Sequence, residues 1–143
     1  MPLDTICSKL LALIKTLPGI GDVYDYFRWA ESWSQFFSLF PAGHGWMLTR
    51  VGVQDSQDFS TSCYLRTHTF HLIGFRPLND ATASDKTFQS HVDSICDVLR
   101  SNPTLDGAVL DTTLPEASIS IRVFGAVLCH YTEITFTCKE RLF

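Results

Sequence analysis

The sequence predicts an α+β protein with a mostly antiparallel or mixed sheet and helices packed mainly on one face. Two observations lead to this class. Apolar residues recur at helical spacing near the start and again in the middle of the chain, whereas alternating apolar residues fill most of the second half. Strands that follow one another, rather than alternating regularly with helices, are typical of an antiparallel sheet covered by helices.

Length, charge and cysteine content narrow the class further. We expect one domain over residues 1–143, large enough to form a core without a metal or disulfide. The net charge of −4, without a basic tract, gives little support to nucleic-acid binding. Five cysteines without a CxxC pair predict neither a disulfide framework nor a zinc knuckle. No segment has the pattern of a signal peptide or a membrane span, so a cytoplasmic origin is expected.

Two helices are predicted before the first strand. The first begins after Asp4 or Thr5 and ends at Pro18-Gly19, and its apolar residues form one stripe. The second covers about Asp22–Phe40, with an apolar sector roughly 180° wide. One sheet face covers only about half of such a sector, so the helix is either well buried in the core or partly in contact with another subunit.

The rest of the chain alternates between strand and loop patterns around a third helix. This helix begins at Ser84 or Asp85 and ends before Pro103. The polar composition of Arg76–Asp85 predicts a loop that is long enough to act as a contact element. The predicted strands are Gly45–Val53, Tyr64–Phe75, Gly107–Leu114 and Ser118–Phe124.

The C-terminal segment Ile119–Lys139 is too long for one strand of a small domain. Its apolar residues fall at odd positions before Gly125 and at even positions later, and a shift of one residue reverses the faces of a strand. A turn or bulge is therefore predicted at Gly125. In the last strand, the residues expected to face the core are Ile134, Phe136 and Cys138, and those expected to face outward are Thr135, Thr137 and Lys139.

The soft ligands in this segment do not predict a metal site. On a regular strand Cys129 and Cys138 face opposite sides, and His130 lies about 26 Å from Cys138. His68 and His71 also fall on opposite faces of their predicted strand. Phosphate-binding glycine loops and the HExxH and GxSxG motifs do not occur in the sequence, so we predict neither an enzyme nor a cofactor.

Two long patterns together cover most of the sequence. The first, GDVYDYFRWAESWSQFFSLF…GHGWMLTRVG, resembles the N-terminal half of the tail terminator proteins of long-tailed bacteriophages. The pattern FRPLNDATASDKTFQSHVDSICDVLRSNPTLDGAVLD…FGAVLCHYTEITFTCKERL resembles the second half, with a Phe-led helix, an L-x-G turn and a final strand after GAVLCHY. The resemblance covers most of the chain and lies in order and composition, without a catalytic signature.

This resemblance implies a structural protein of the virion, located at the junction of tail and neck and assembled in the host cytoplasm. A hexameric ring would cap the finished tail tube, stop its polymerisation and join it to the head connector. The implied partners are further copies of the chain, the tail tube protein and a head-completion protein. DNA would pass through the lumen without specific binding, and no membrane is involved.

The candidate contact residues form two sets. The set expected at the subunit interface is Trp29, Trp33 and Phe36. The set expected to contact the tail tube is Arg76, Asp80 and Asp85.

Two other functions remain open at this level. Neck and head-closure proteins of the same viruses share the general pattern, so the chain fits another head–tail joining protein as an alternative. A small cytoplasmic enzyme or ligand-binding domain is the second alternative, with the aromatic segment as its pocket. A deep closed pocket with convergent polar groups would favour that last function.

Overall fold

A computed structural model describes residues 2–26, 38, 44–57, 64–79, 83–124 and 127–142, and all statements on structure refer to these residues. They contain two long helices and a six-stranded sheet, so the predicted α+β class is confirmed. The elements are, in chain order, α1 (Pro2–Lys15), β1 (Asp22–Tyr24), β2 (Gly45–Gln57), β3 (Tyr64–Pro77), α2 (Ser84–Ser101), β4 (Asp111–Thr112), β5 (Glu116–Phe124) and β6 (Val127–Leu142).

The sheet is mixed. Its strand order is β1-β2-β3-β6-β4, and β5 pairs with β6 as well. β1 and β2 are parallel, whereas β2 with β3, β3 with β6, and β6 with both β4 and β5 are antiparallel. The prediction of a mostly antiparallel sheet is therefore corrected to a mixed one. The physical reason is the long connection from β1 to β2, which returns the chain to the same end of the sheet before β2 begins.

The predicted helix Asp22–Phe40 is wrong at its beginning. The strand β1 occupies Asp22–Tyr24 and pairs with Gly45–Met47, and Val23 is buried. This pairing joins residues far apart in sequence, so it overrides the helical spacing of the apolar residues. Beyond Tyr26 the predicted helix lies outside the described residues, apart from Ser38, which is helical.

Both described helices bury the apolar stripes that their sequences predict. α1 begins slightly earlier than expected and ends at Lys15, before Pro18-Gly19. α2 begins at Ser84 and ends at Ser101, as its pattern predicts. The buried side chains are Ile6, Leu10 and Ile14 in α1 and Phe88, Val92, Ile95 and Leu99 in α2. Each fully buried side chain of this kind stabilises the fold by about 1.5–3 kcal/mol relative to exposure.

One face of the sheet forms the main core together with these helices, and we call it the core face. Its buried side chains are Trp46 and Leu48 in β2, Phe70 and Leu72 in β3, and Ile134, Phe136 and Cys138 in β6. This alternation in β6 is the predicted one, with Thr135, Thr137 and Lys139 on the opposite face. Residues of α1 and α2 belong to the same buried cluster.

The opposite face also carries a buried cluster, near the end of the sheet where β1 lies. It consists of Met47, Ile73, Phe75 and Cys129, with Tyr24 and Tyr131 partly buried beside it. Neither α1 nor α2 contributes a residue to this cluster. Because the sheet is buried on parts of both faces, the packing of helices mainly on one face stays a prediction.

The strands β5 and β6 form the β5–β6 hairpin. They pair from Glu116 opposite Thr135 to Phe124 opposite Val127, so the chain reverses direction between Phe124 and Val127. A reversal between these two residues agrees with the turn predicted in this segment, whereas Gly125 itself lies outside the described residues. β4 lies along the same edge of β6 as β5, and the predicted strand Gly107–Leu114 is shortened to the two residues of β4.

Candidate subunit interface

The structure separates the residues predicted for contact with the tail tube. Arg76 lies in β3 and Asp85 lies in the first turn of α2. The predicted loop Arg76–Asp85 is therefore wrong at both ends, because β3 stays paired with β6 as far as Pro77 and α2 begins at Ser84. In the described part of the chain, no hydrogen bond or ion pair joins Arg76 to Asp85. The other predicted contact residues, Asp80, Trp29, Trp33 and Phe36, lie outside the described residues.

Arg76 belongs to a cluster with two histidines. The rings of His44 and His91 stack with centroids 6.2 Å apart, and His44 Nε2 lies 3.1 Å from the carbonyl oxygen of Gly19. Burial lowers the pKa of His91 below its usual value, and the charges of Arg76 and His44 lower it further. The cluster links β3, α2 and the start of β2, so Arg76 has a structural setting besides any contact role.

A strip of exposed apolar side chains lies on the β5–β6 hairpin, and none of its residues is in the two sets of candidate contact residues. We call it the apolar strip, and its members, with their exposed fractions, are Ile119 (40%), Ile121 (58%), Val123 (65%) and Leu128 (52%). The signal for it was present in the sequence as the odd-numbered alternation of β5. Alternation alone does not reveal whether an apolar strand face is covered, because it specifies only which side chains share a face.

The apolar strip belongs to the core face but lies beyond the part of that face on which α2 packs. Ile119 stands opposite Thr132 and Ile121 stands opposite His130, and both partners are buried. The ring of Phe88 in α2 stacks on the ring of His130, with centroids 5.7 Å apart. α2 therefore covers β6 at this point, whereas the adjacent residues of β5 remain exposed.

A serine–histidine contact fixes the beginning of α2 on β6. Ser84 Oγ accepts a hydrogen bond of 2.9 Å from the backbone N–H of Asn79 and lies 2.8 Å from His130 Nε2. A serine beside a histidine is also the arrangement of an activated nucleophile. Here both side chains are buried, with exposed fractions of 2% for Ser84 and 4% for His130, so the contact anchors the helix.

His68 and His71 lie on opposite faces of β3, as predicted, and each contacts a different glutamate. On the core face, His68 Nε2 lies 3.0 Å from Glu140 Oε1, and both side chains are buried. Arg50 Nη1 lies 3.3 Å from His68 Nδ1; because a guanidinium only donates, Nδ1 accepts and Nε2–H donates to Glu140. On the opposite face, His71 pairs with Glu133, and both are partly exposed.

The cysteines of β6 take structural positions. Cys129 belongs to the opposite-face cluster, and Cys138 lies in the main core with its sulfur 3.6 Å from Thr112 Oγ1. Burial raises the pKa of Cys138 to about 11, against the opposing effect of the Thr112 contact, so its thiol is neutral near pH 7. No group of three or more His, Cys, Asp or Glu side chains is placed to hold a metal ion among the described residues.

A cleft of about 480 Å³ lies between α1 and the segment that follows α2. Lys9 and Asp106 form an ion pair of 3.1 Å beside it, and both side chains are substantially exposed. Leu13 and Leu105 contribute apolar lining. The charges of the ion pair lie towards solvent, so the cleft lacks the convergent buried polar groups typical of a ligand site.

Neither helix in the described part of the chain has the length and apolar content needed to cross a membrane. No protein-family model and no curated protein matches the chain.

Proposed function

We propose that the chain is a structural protein of a bacteriophage virion, a tail terminator. Copies of it would assemble into a ring that caps the tail tube, stops tube polymerisation and joins the tube to the head connector. The support comes from the sequence patterns that resemble this family and from one structural observation, the apolar strip of the β5–β6 hairpin.

The apolar strip supports an assembly function because contiguous apolar surface on a soluble protein usually marks a site of interaction. Three of its residues alternate along one face of β5, and Leu128 of β6 stands level with Val123, so together they offer a continuous surface to a neighbour. The charged residues of β5, Glu116 and Arg122, lie on the opposite face of the sheet, because they stand level with Thr135 and Cys129. The face of β5 that carries the strip is therefore free of charged side chains.

The same proposal assigns roles to the rest of the molecule. The helices would pack mainly on the core face, and the part of the opposite face that carries Thr69, Thr135 and Thr137 would face other components of the virion. Arg76 and Asp85, on either side of the segment between β3 and α2, would contact the tail tube. The net charge of −4 suits a lumen through which DNA passes without being held.

The proposal is tested by the mass of the purified full-length protein. Six copies of the 16.1 kDa chain give a ring of about 97 kDa. We expect this species by native mass spectrometry or light scattering, either for the protein alone or after tail tube protein is added. A protein that stays a monomer at all concentrations and neither caps nor binds tubes would contradict the proposal.

Matched variants test whether the apolar strip is required for assembly. The double change Ile121→Ser and Val123→Ser should lower the assembled fraction while leaving the circular dichroism spectrum of the monomer unchanged. Leu114 is the control, because it is also apolar and exposed but lies outside the strip. Leu114→Ser should assemble as the unchanged protein does; equal loss in both proteins would remove the strip from the interface.

Electron microscopy separates the tail terminator from another joining protein of the neck. A labelled ring located at the end of isolated tail tubes supports the tail terminator. The same ring located against the portal of the head, and absent from tube ends, assigns the chain to the neck instead.

A further inference from the structure

Among the residues that the structure describes, the sheet has an open edge on each side, formed by β5 and by the part of β2 beyond β1. β5 pairs with β6 along one edge only, and every residue of Glu116–Val123 is exposed. On the other side, β1 pairs with β2 only at Gly45–Met47, so Arg50–Gln57 have no strand beside them within the residues that the structure describes. Considering the described segments alone, β5 and Arg50–Gln57 each have one side that is not paired with another strand.

The two edges differ in the features that normally prevent strand pairing. Proteins protect open edges with charged side chains, prolines or bulges, since unpaired N–H and C=O groups bind other strands. In β5 the charges of Glu116 and Arg122 lie near its ends, and the residues between them are small or apolar: Ala117, Ser118, Ile119, Ser120 and Ile121. β2 contains no proline; it has an irregularity between Arg50 and Gly52, and the charge of Asp55 is paired with Arg66 of β3. Both edges are thus suited to bind an additional strand.

The strand directions determine how two copies of the chain fit together. β2 and β6 run in one direction, and β3 and β5 run in the other. A second copy in the same orientation therefore places its β2 antiparallel to the β5 of the first copy, with the core faces of both sheets on the same side. This contact joins two different surfaces, and its repetition leads from copy to copy around a ring.

The side chains on the two edges also match. Past its irregularity, β2 directs Val53 to the core face, because Val53 stands opposite His68. Val53 is 51% exposed, like the isoleucines of β5 on the same face. If Ile119 stands opposite Val53 of the next copy, the direct neighbours on the other face are Ser118 and Gln54. The pairs Ile119–Val53 and Ser118–Gln54 then match in polarity, whereas Ala117 falls opposite Asp55, whose charge is paired with Arg66 of its own sheet.

We propose that neighbouring copies join edge to edge, with β5 of one copy paired antiparallel to Arg50–Gln57 of β2 in the next. This inference rests on the proposed ring and names the contact that builds it. The open part of β2 lies toward the opposite end of the sheet from the tip of the hairpin, so successive copies are staggered along their strands. Stagger of this kind is what a closed, tilted arrangement of strands requires.

A disulfide between neighbours tests the contact. Directly opposite Cβ atoms in antiparallel strands lie about 4.5–5.5 Å apart, close to the span of a disulfide. The full-length protein with Ser118→Cys and Gln54→Cys in one chain should give covalent multimers up to the size of the ring after mild oxidation. Both positions are exposed, so the variant should fold as the unchanged protein does, as checked by circular dichroism.

Three controls test whether the disulfide is specific to the proposed contact. Each single variant alone should give no covalent multimers, whereas a mixture of the two single variants should give covalent dimers and nothing larger. The unchanged protein is the blank for its own thiols, of which Cys129 and Cys138 are buried. A chain with Gln54→Cys and Ser90→Cys, which places the second thiol on an exposed position of α2, should remain uncrosslinked.

The outcomes distinguish this inference from the proposed ring. Rings present by native mass without crosslinking of the Ser118→Cys and Gln54→Cys chain overturn the edge contact and leave the ring in place. Dimers formed by Ser118→Cys alone indicate that two β5 strands pair about a twofold axis, which also overturns it. Absence of any assembly, with or without tail tube protein, overturns the ring and the edge contact together.

Discussion

The strands β5 and β6 carry the same alternating pattern on the same face of one sheet, yet the apolar side chains of β6 are buried and those of β5 are exposed to solvent. In β6, Ile134 and Phe136 are at most 1% exposed. In β5, Ile121 and Val123 are 58% and 65% exposed. The difference lies in the cover, because α1 and α2 contribute to the cluster that contains the β6 residues and to no cluster that contains those of β5.

An alternating apolar pattern therefore has two functions in this sheet, one in the stability of the monomer and one in assembly. In β6 the pattern contributes to the stability of the monomer, since burial of each side chain removes apolar surface from water. In β5 the same surface stays in water until another molecule covers it. Changes on β6 should therefore alter the free energy of unfolding, whereas changes on β5 should alter assembly.

The largest expected effect comes from removing a buried ring from β6. Phe136 stacks on Phe70 with centroids 5.6 Å apart and is almost fully buried. Phe136→Ala should lower the free energy of unfolding by about 3–5 kcal/mol, from lost burial and the cavity that remains. Urea denaturation of the monomer measures the change. Val123→Ala on β5 is the comparison and should stay within about 0.5 kcal/mol; equal losses would remove the distinction between the two strands.

The next effect concerns the two histidine–glutamate pairs of β3 and β6. His68→Ala leaves the carboxylate of Glu140 buried without its donor and should cost about 3 kcal/mol. His71→Ala breaks a partly exposed pair with Glu133 and should cost about 0–1 kcal/mol. Chemical denaturation of both variants measures the two losses, and a similar cost at both sites would contradict the role given to burial.

A third effect concerns the close packing of the covered region. The ring of Trp46 lies directly against Gly74 in the neighbouring strand, so a methyl group at Gly74 would collide with it. Trp46 Nε1 also donates a hydrogen bond of 3.0 Å to the carbonyl oxygen of Ile20, which limits its movement. Gly74→Ala should therefore cost about 1–3 kcal/mol.

Gly52 in β2 is the matched control for Gly74. A methyl group there meets Thr69 at 3.6 Å, an ordinary contact distance. Gly52→Ala should leave stability unchanged or raise it by about 0.4–1 kcal/mol through the unfolded chain. Thermal unfolding of both variants measures the two changes in stability. If Gly74→Ala leaves stability unchanged, the Trp46 ring has room to shift.

Elements with strong local patterns were predictable from the sequence. The stripe of α2 and the alternation of β3 arise from neighbouring residues along the chain, and both elements lie where they were expected. The reversal between β5 and β6 was also predictable, because a change of face within one segment requires it. These features depend on local periodicity, which a single sequence contains.

Features that depend on distant contacts were not predictable in the same way. β1 has only three residues and is a strand because Asp22–Tyr24 pairs with Gly45–Met47. The exposure of Ile121 depends on where α2 ends its cover, which the pattern of β5 does not contain. Likewise, Arg76 was assigned to a loop from its polar neighbours, whereas its pairing level with His130 keeps it in β3.

The smallest expected effect concerns the cluster that holds α2 over the core face. The ring of His91 in α2 stacks on the ring of His44 before β2, and the pKa of His91 is lowered from the usual 6.5, first by burial and then by the charges of Arg76 and His44. Below about pH 6.5 the unfolded chain therefore binds a proton at His91 more readily than the folded chain does. Stability should fall as the pH drops through this window, which weakens the cover that distinguishes β6 from β5. His91→Gln should reduce the difference between urea midpoints at pH 7.5 and pH 5.5. If His91→Gln leaves the full difference, another group controls the acid response and the cluster does not link pH to the cover of the core face.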